Sequence, residues 1–430
     1  MRRAAAAIIQ WEWVFLFLLL PLLFFPNSFY AITLLLIPLL WLARYLATGH
    51  FIPPTPYDAA VLALLLALLI SLFAIFDPAL SFPGIASLVF GVACFYGAVA
   101  YARRRASGLW HLVALFLLAG LAMTGLGLVG TPWIGPFAGL NRLRGLLPAQ
   151  LGILLGSDRA TNPNILAGIL DWLVPLLAAL LVGLARPLWQ RRRLWPRLWL
   201  LVLGGSLLLA SALLVATFSR GGMAAALLAL LLMLAVMIAA AGQWRRWLLA
   251  AAVAVILALA VNLDLDRLNQ ILFGSVTGQF GLADRLEIWS RALYALADFP
   301  LTGTSMNGFV LVVARLYPLF RIAPGTPVNH AHNQLLQAGL DLGLLGLVAY
   351  LALWLVSAGL LWRCWRREHD PPRRALVLGL AGALLAGWLF GVFDAIGLGT
   401  RPAVLWWLLL AQVAAVHESS QGDSKWTNDW

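Results

Sequence analysis

The chain has 430 residues, of which 63% are hydrophobic and 11% charged, and its mean hydropathy is +0.91. A soluble protein of this length could not hide that much apolar surface, so the composition points to a polytopic membrane protein. The formal charge of +12 sits in short basic clusters between apolar runs, the pattern of topogenic charge rather than of a nucleic-acid surface. Cys94 and Cys364 are too few and too separated to form a disulfide framework or a metal site.

The N-terminus, Met1-Arg2-Arg3 followed by an apolar run to Phe25, passes through Pro26-Asn27 directly into another apolar run, so it reads as a first span. Apolar spans follow the chain at 12–26, 29–47, 57–76, 81–101, 109–130, 164–185, 197–218, 220–241, 246–262, 332–362, 374–393 and 402–416. The predicted fold is therefore an all-α polytopic membrane protein with about 12 transmembrane helices. With the N-terminus inside, 19 basic residues fall on inner segments and 10 on outer ones, and every inner loop carries an arginine. Both termini come out cytoplasmic. A single transmembrane domain over 1–416 precedes a polar tail, 417–430, expected to be disordered.

Two outer segments are long. The first, 131–163, holds Arg142 and Arg144 and ends on the helix-start signal Thr161-Asn162-Pro163-Asn164. The second, 263–331, contains an amphipathic stretch from Asp284 to Ala297 with Leu286, Trp289, Leu293 and Leu296 on one face, which predicts a helix lying in the outer interface. The turn Phe299-Pro300-Leu301-Thr302-Gly303 ends it.

Chemistry concentrates after that loop. The stretch Val328-Asn329-His330-Ala331-His332-Asn333-Gln334 opens an apolar helix read as continuous from His332 to Trp362, with Gly339 and Gly346 beneath His332 and Asp341 on the far side. A histidine at a helix N-terminus meets the positive end of the dipole, which favours a neutral ring able to accept a proton. His330 and His332 hint at a metal, but sequence spacing supplies no third ligand, so none is expected. Arg220 opens a span with almost no loop before it, and Arg285 and Arg291 lie on the amphipathic stretch. Fixed guanidiniums facing outward suit an oxyanion such as a diphosphate. Asp171, Asp341 and Asp394 lie in or near spans, where each could pair with a buried base or mark a proton path.

Together these pieces resemble the O-antigen ligase and O-antigen polymerase superfamily. The resemblance rests on His332-Asn333 followed after nine residues by Gly343-Leu344-Leu345-Gly346. It extends to Asn162-Pro163-Asn164, Ser219-Arg220-Gly221, Asp284-Arg285-x-x-x-Trp289 and Pro300-x-x-Gly303, although the usual second glycine after Gly303 is replaced, giving Gly303-Thr304-Ser305. It implies a C-type glycosyltransferase-like fold whose large periplasmic loop contains interfacial helices. It also implies a metal-independent, inverting glycosyltransferase in the bacterial inner membrane, with no cofactor. The donor would be an undecaprenyl-diphosphate-linked glycan and the acceptor lipid A core or another glycan; membrane lipids are the other partners. Carried over by position, His332 is the base, Arg220 and Arg285 hold the diphosphate, and Asn333 orients the histidine or the glycan. His330, Arg142, Arg144 and Arg291 are further substrate-binding candidates, the two loop arginines from their outward position alone. Ligation is the leading reading. Polymerisation of repeat units is the alternative within the family, and a glycolipid flippase or transporter the alternative outside it, although no repeated halves are visible.

Overall fold

The structure, a computed structural model, describes residues 2–12, 14, 16, 30–145, 162–190, 194–240, 281–323, 326 and 328–421. Among the described residues every regular element is a helix. In chain order these are α1 (Arg2–Gln10), α2 (Tyr30–Thr48), α3 (Asp58–Ser71), α4 (Pro78–Arg103), α5 (Gly108–Gly130), the short α6 (Arg142–Gly145), α7 (Pro163–Trp189), α8 (Leu194–Ala216) and α9 (Arg220–Ala240). After them come α10 (Leu282–Asp298), α11 (Phe309–Leu316), α12 (Gln334–Arg367), α13 (Pro371–Phe393) and α14 (Ala403–Ser420), with 3₁₀ turns at Leu72–Ala74 and Gly135–Asn141. Seven of the helices (α4, α5, α7, α8, α9, α12 and α13) are long and apolar enough to cross a membrane. The predicted span at 246–262, most of that at 12–26 and the loop stretches 146–161 and 263–280 lie outside the described residues. The predicted tail begins too early: α14 continues through Ser420, so 417–420 is helical, and the rest from 422 lies outside the described residues.

Local sequence explains where the helices begin. Pro78, Pro163 and Pro371 each occupy a first helical position behind a capping acid or amide, and the side chains of Asp77, Asn162 and Asp370 accept from the amides of Ala79, Asn164 and Arg373. Packing then sorts the helices. The first half of α7 is buried and packs between α13, α8 and α9, whereas α8 and α9 leave Leu201, Leu208 and Leu227 more than half exposed as a face for lipid. Within α7, Asp171 is fully buried, and neither of its carboxylate oxygens has a hydrogen-bond partner among the described residues. Pro175, one turn on, lacks the amide that would bond the Asp171 carbonyl.

The helix opening after the histidines is not continuous. Gly343 has φ 70° and ψ −175°, which breaks α12 into 334–342 and 344–367. The outer loop is spliced into that break. The Leu344 amide, deprived of its own helical acceptor, donates to Pro300 O at 2.8 Å, and the Leu340 carbonyl accepts from Thr304 N at 2.6 Å and Thr304 Oγ1 at 3.1 Å. Gly303 (φ 62°) and Gly343 interlock: a Cβ on Gly303 would strike the Leu340 carbonyl oxygen, and one on Gly343 the Leu301 carbonyl oxygen. Because of the break, and because His332 itself precedes the helix, the expected stripe of Gly339 and Gly346 beneath His332 is not a single helical face.

The same splice predicts a stability effect. Gly343→Ala, placing a side chain at positive φ against a backbone carbonyl, should destabilise the fold by at least about 1–2 kcal/mol from the left-handed conformation alone. Thermal unfolding in detergent should show a lowered midpoint, while Gly359→Ala, in the same helix with open space around it, should leave the midpoint unchanged or raised.

Candidate active site

One end of the bundle gathers the polar residues. There the start of α12, the end of α13, the start of α7, the start of α9 and the helix α10 from the outer loop come together. Asn333 fixes the start of α12: its Oδ1 accepts from the amides of Leu335 and Leu336, both at 3.0 Å, and its Nδ2 donates to Val392 O at 3.0 Å. One amide thus ties the first turn of α12 to the last turn of α13.

Immediately before this cap, His332 is buried with φ 49°, in the left-handed region, and its carbonyl accepts from Trp289 Nε1 of α10 at 3.3 Å. Its Nδ1 lies 3.4 Å from Asp394 Oδ1, just beyond α13, and its amide donates to His330 Nδ1 at 3.2 Å. His330 completes a cluster: its ring centroid is 4.0 Å from that of His332 and its Nε2 is 3.8 Å from the same Asp394 oxygen. Asp341 is not part of it. Its Oδ1 accepts from Asn307 N at 3.1 Å and Gln337 Nε2 at 2.9 Å, while Gln337 Oε1 accepts from the Ala331 amide at 2.9 Å. That relay pins both the outer loop and the histidine segment to α12.

The electrostatics follow from burial and neighbours. Burial pushes the Asp394 carboxyl up, but His332, His330 and the Arg285 guanidinium together outweigh it and hold Asp394 well below the usual carboxylate range. Burial, with the neighbouring His332, pushes the His330 ring down to about 4, so it is uncharged near neutral pH. Arg285 faces the same pocket closely enough that Asp394 and Asp284 oppose the downward push of burial on it, and its buried Nε has no hydrogen-bond partner among the described residues.

The fold brings His332, His330, Asn333 and Arg285 together. Arg220 opens α9 across the first two turns of α7, where Ala167 meets Gly222 and Gly168 meets Phe390 and Ile396; it shares the site's end of the bundle. Arg142 is exposed at the same end; the side chain of Arg144 lies outside what the structure describes. Arg291 is turned away: it donates to Pro318 O at 2.9 Å and lies over the Phe320 and Tyr294 rings, holding the far face of α10 to the loop. Trp289 corrects another expectation. The interfacial row on α10 is Leu286 and Leu293, both more than half exposed, whereas Trp289 faces the site, its ring 6.2 Å from Phe393.

Asp394 is the residue that sequence reasoning left unassigned. It follows an apolar helix with no adjacent base to suggest a pair, and only the fold sets it beside the histidines. It also supplies the third ligand that spacing alone did not: one donor atom each from His330, His332 and Asp394 lie within 4.8 Å of one another, near enough to hold a metal ion. Their arrangement permits two chemistries, an imidazole oriented by a carboxylate or a His₂Asp metal centre. No curated protein matches the chain. Residues 205–351, which include Arg220, Arg285, both histidines and the Gly343 break, match the family model described as O-antigen ligase. Over that stretch this all-helical membrane protein is similar to the O-antigen ligase family.

Proposed function

We propose that the protein is an O-antigen ligase that moves a glycan from an undecaprenyl-diphosphate carrier to an acceptor hydroxyl on lipid A core, at the periplasmic face of the inner membrane. The observation that carries the chemistry is the Asp394 carboxylate 3.4 Å from His332 Nδ1 in a buried pocket that Arg285 also faces. Asp394, 3.4 Å away and near enough to accept from Nδ1–H once substrate is bound, would fix the tautomer in which Nε2 takes a proton, so His332 deprotonates the acceptor hydroxyl as its oxygen attacks the anomeric carbon. The bond from that carbon to the diphosphate oxygen breaks, and charge grows on the departing lipid diphosphate. Arg285, with unused donor capacity in the pocket, and Arg220 from the start of α9 offset that charge. Base and guanidiniums on opposite sides of the sugar give in-line displacement and inversion.

His332→Ala should insert and fold yet lower transfer by at least about 100-fold, the usual contribution of a positioned base. Asp394→Asn should lower kcat by a comparable factor with little change in KM for the donor. Wild-type transfer in either variant rejects the dyad. Arg220→Lys should also lose most activity if the guanidinium fork is what holds the diphosphate, whereas full activity would mean that charge alone suffices. Transfer should survive exhaustive treatment with chelators; loss restored by zinc would convert the cluster from a dyad into a metal centre. These assays use purified protein, a lipid-diphosphate glycan and lipid A core, and separate capped acceptor from lengthened lipid-linked chains, the product a polymerase would make.

A further inference from the structure

At the end of the bundle opposite the histidine cluster, a cavity of about 320 Å³ opens between α1 and the last turns of α4. Gly97, against which Leu16 packs, and Ala100 line it together with Trp11, Glu12, Arg104 and Arg105. The charges around it do not balance. Glu12 is paired with Arg44 of α2, a fully buried arginine whose Nε and Nη1 have no hydrogen-bond partner among the described residues. Glu418, the acid nearest the end of α4, is already bound to Arg103. Among the described residues Arg104 bonds the neutral Ile9 carbonyl, at 2.7 Å, and Arg105 lies over the Tyr101 ring, 5.2 Å from its centroid. The carboxylate of Glu12 thus serves the buried Arg44 and lies near Arg104, while Arg104 and Arg105 are exposed at the cavity; partial burial with the nearby Arg44 charge lowers the Arg104 pKa from its ordinary value, and Glu12 opposes that shift. A second anion at the rim would satisfy the remaining donors.

The setting identifies the anion's source. Ile8 is 44% and Trp11 59% exposed beside the cavity, and α1 carries Arg2 and Arg3 in its first turn. An amphipathic segment with apolar side chains, a tryptophan and arginines belongs at the headgroup level of a bilayer. We propose that this cavity seats the phosphate of an anionic phospholipid, gripped by Arg104 and Arg105 with the acyl chains along Ile8 and Trp11. Lipid bound there would fasten α1 to α4 at the end remote from the chemistry.

The test is native mass spectrometry of the full chain in detergent, with phosphatidylglycerol, phosphatidylcholine or inorganic phosphate added. Phosphatidylglycerol should be retained in preference to phosphatidylcholine and resist displacement by millimolar phosphate. Arg104→Gln with Arg105→Gln should weaken retention by about fivefold per arginine. The control pair Arg366→Gln with Arg367→Gln, at the same end of the bundle, should leave it unchanged. Arg105→Gln alone, which removes only a ring contact, guards against a folding defect, and Arg104→Lys should recover part of the binding. Equal retention of the two lipids, displacement by phosphate alone, or unaltered retention in the double variant would overturn the assignment. None of these readouts depends on glycan transfer.

Discussion

The architecture of the site depends on one broken helical hydrogen bond. In an unbroken α12 the Leu344 amide would bond the Leu340 carbonyl. Here each is given instead to the outer loop, to Pro300 and to Thr304. Buried backbone groups cannot be left without partners, so the break and the loop require one another. The exchange needs glycine on both strands of the crossing, at Gly303 and Gly343, because each backbone occupies the space a side chain would fill. From this joint the remaining positions follow. The loop, once anchored, sets α10 against the start of α12, and Trp289 then reaches the His332 carbonyl.

The second constraint is the placing of an anion. Asp394 is buried, and an uncompensated carboxylate there would cost several kcal/mol. Two imidazoles from one segment and a guanidinium from α10 converge on it, so the charge that organises the pocket is also what keeps it assembled. His332 reaches this arrangement only by adopting a left-handed backbone, a conformation that costs a non-glycine residue free energy and persists because the Asn333 cap and the Trp289 bond determine it on both sides. Asp171, buried without such company near the start of α9, is the contrasting case of a carboxylate in the same bundle.

Much of this was legible in the sequence, for identifiable reasons. The helix start at Asn162-Pro163 follows from local capping chemistry and falls where the residues put it, whereas the start at Asp370-Pro371 precedes the apolar run expected from 374. The apolar runs mark the spans because length and hydropathy are one-dimensional properties. His332 and Arg285 stand out as polar groups beside apolar runs. What the chain order concealed was every relation between distant segments. Asp394 has no local partner, and Trp289 looks like an interfacial anchor until the loop folds back. Arg291 differs from Arg285 only in the side of α10 it occupies. The helix break was hidden for the same reason: glycine in an apolar helix reads as a packing feature unless the loop that enters there is known.

The break also has a dimensional meaning. The segment from Leu344 to Arg367 is about 36 Å long at 1.5 Å per residue, already sufficient for the roughly 30 Å hydrocarbon layer. The turn bearing the histidine pocket is therefore surplus to the crossing and stands on it like a platform on a column. Its elevation above the acyl chains is set by the column's length against the bilayer's thickness, so a thicker or thinner membrane would raise or sink the histidine cluster relative to the lipid headgroups.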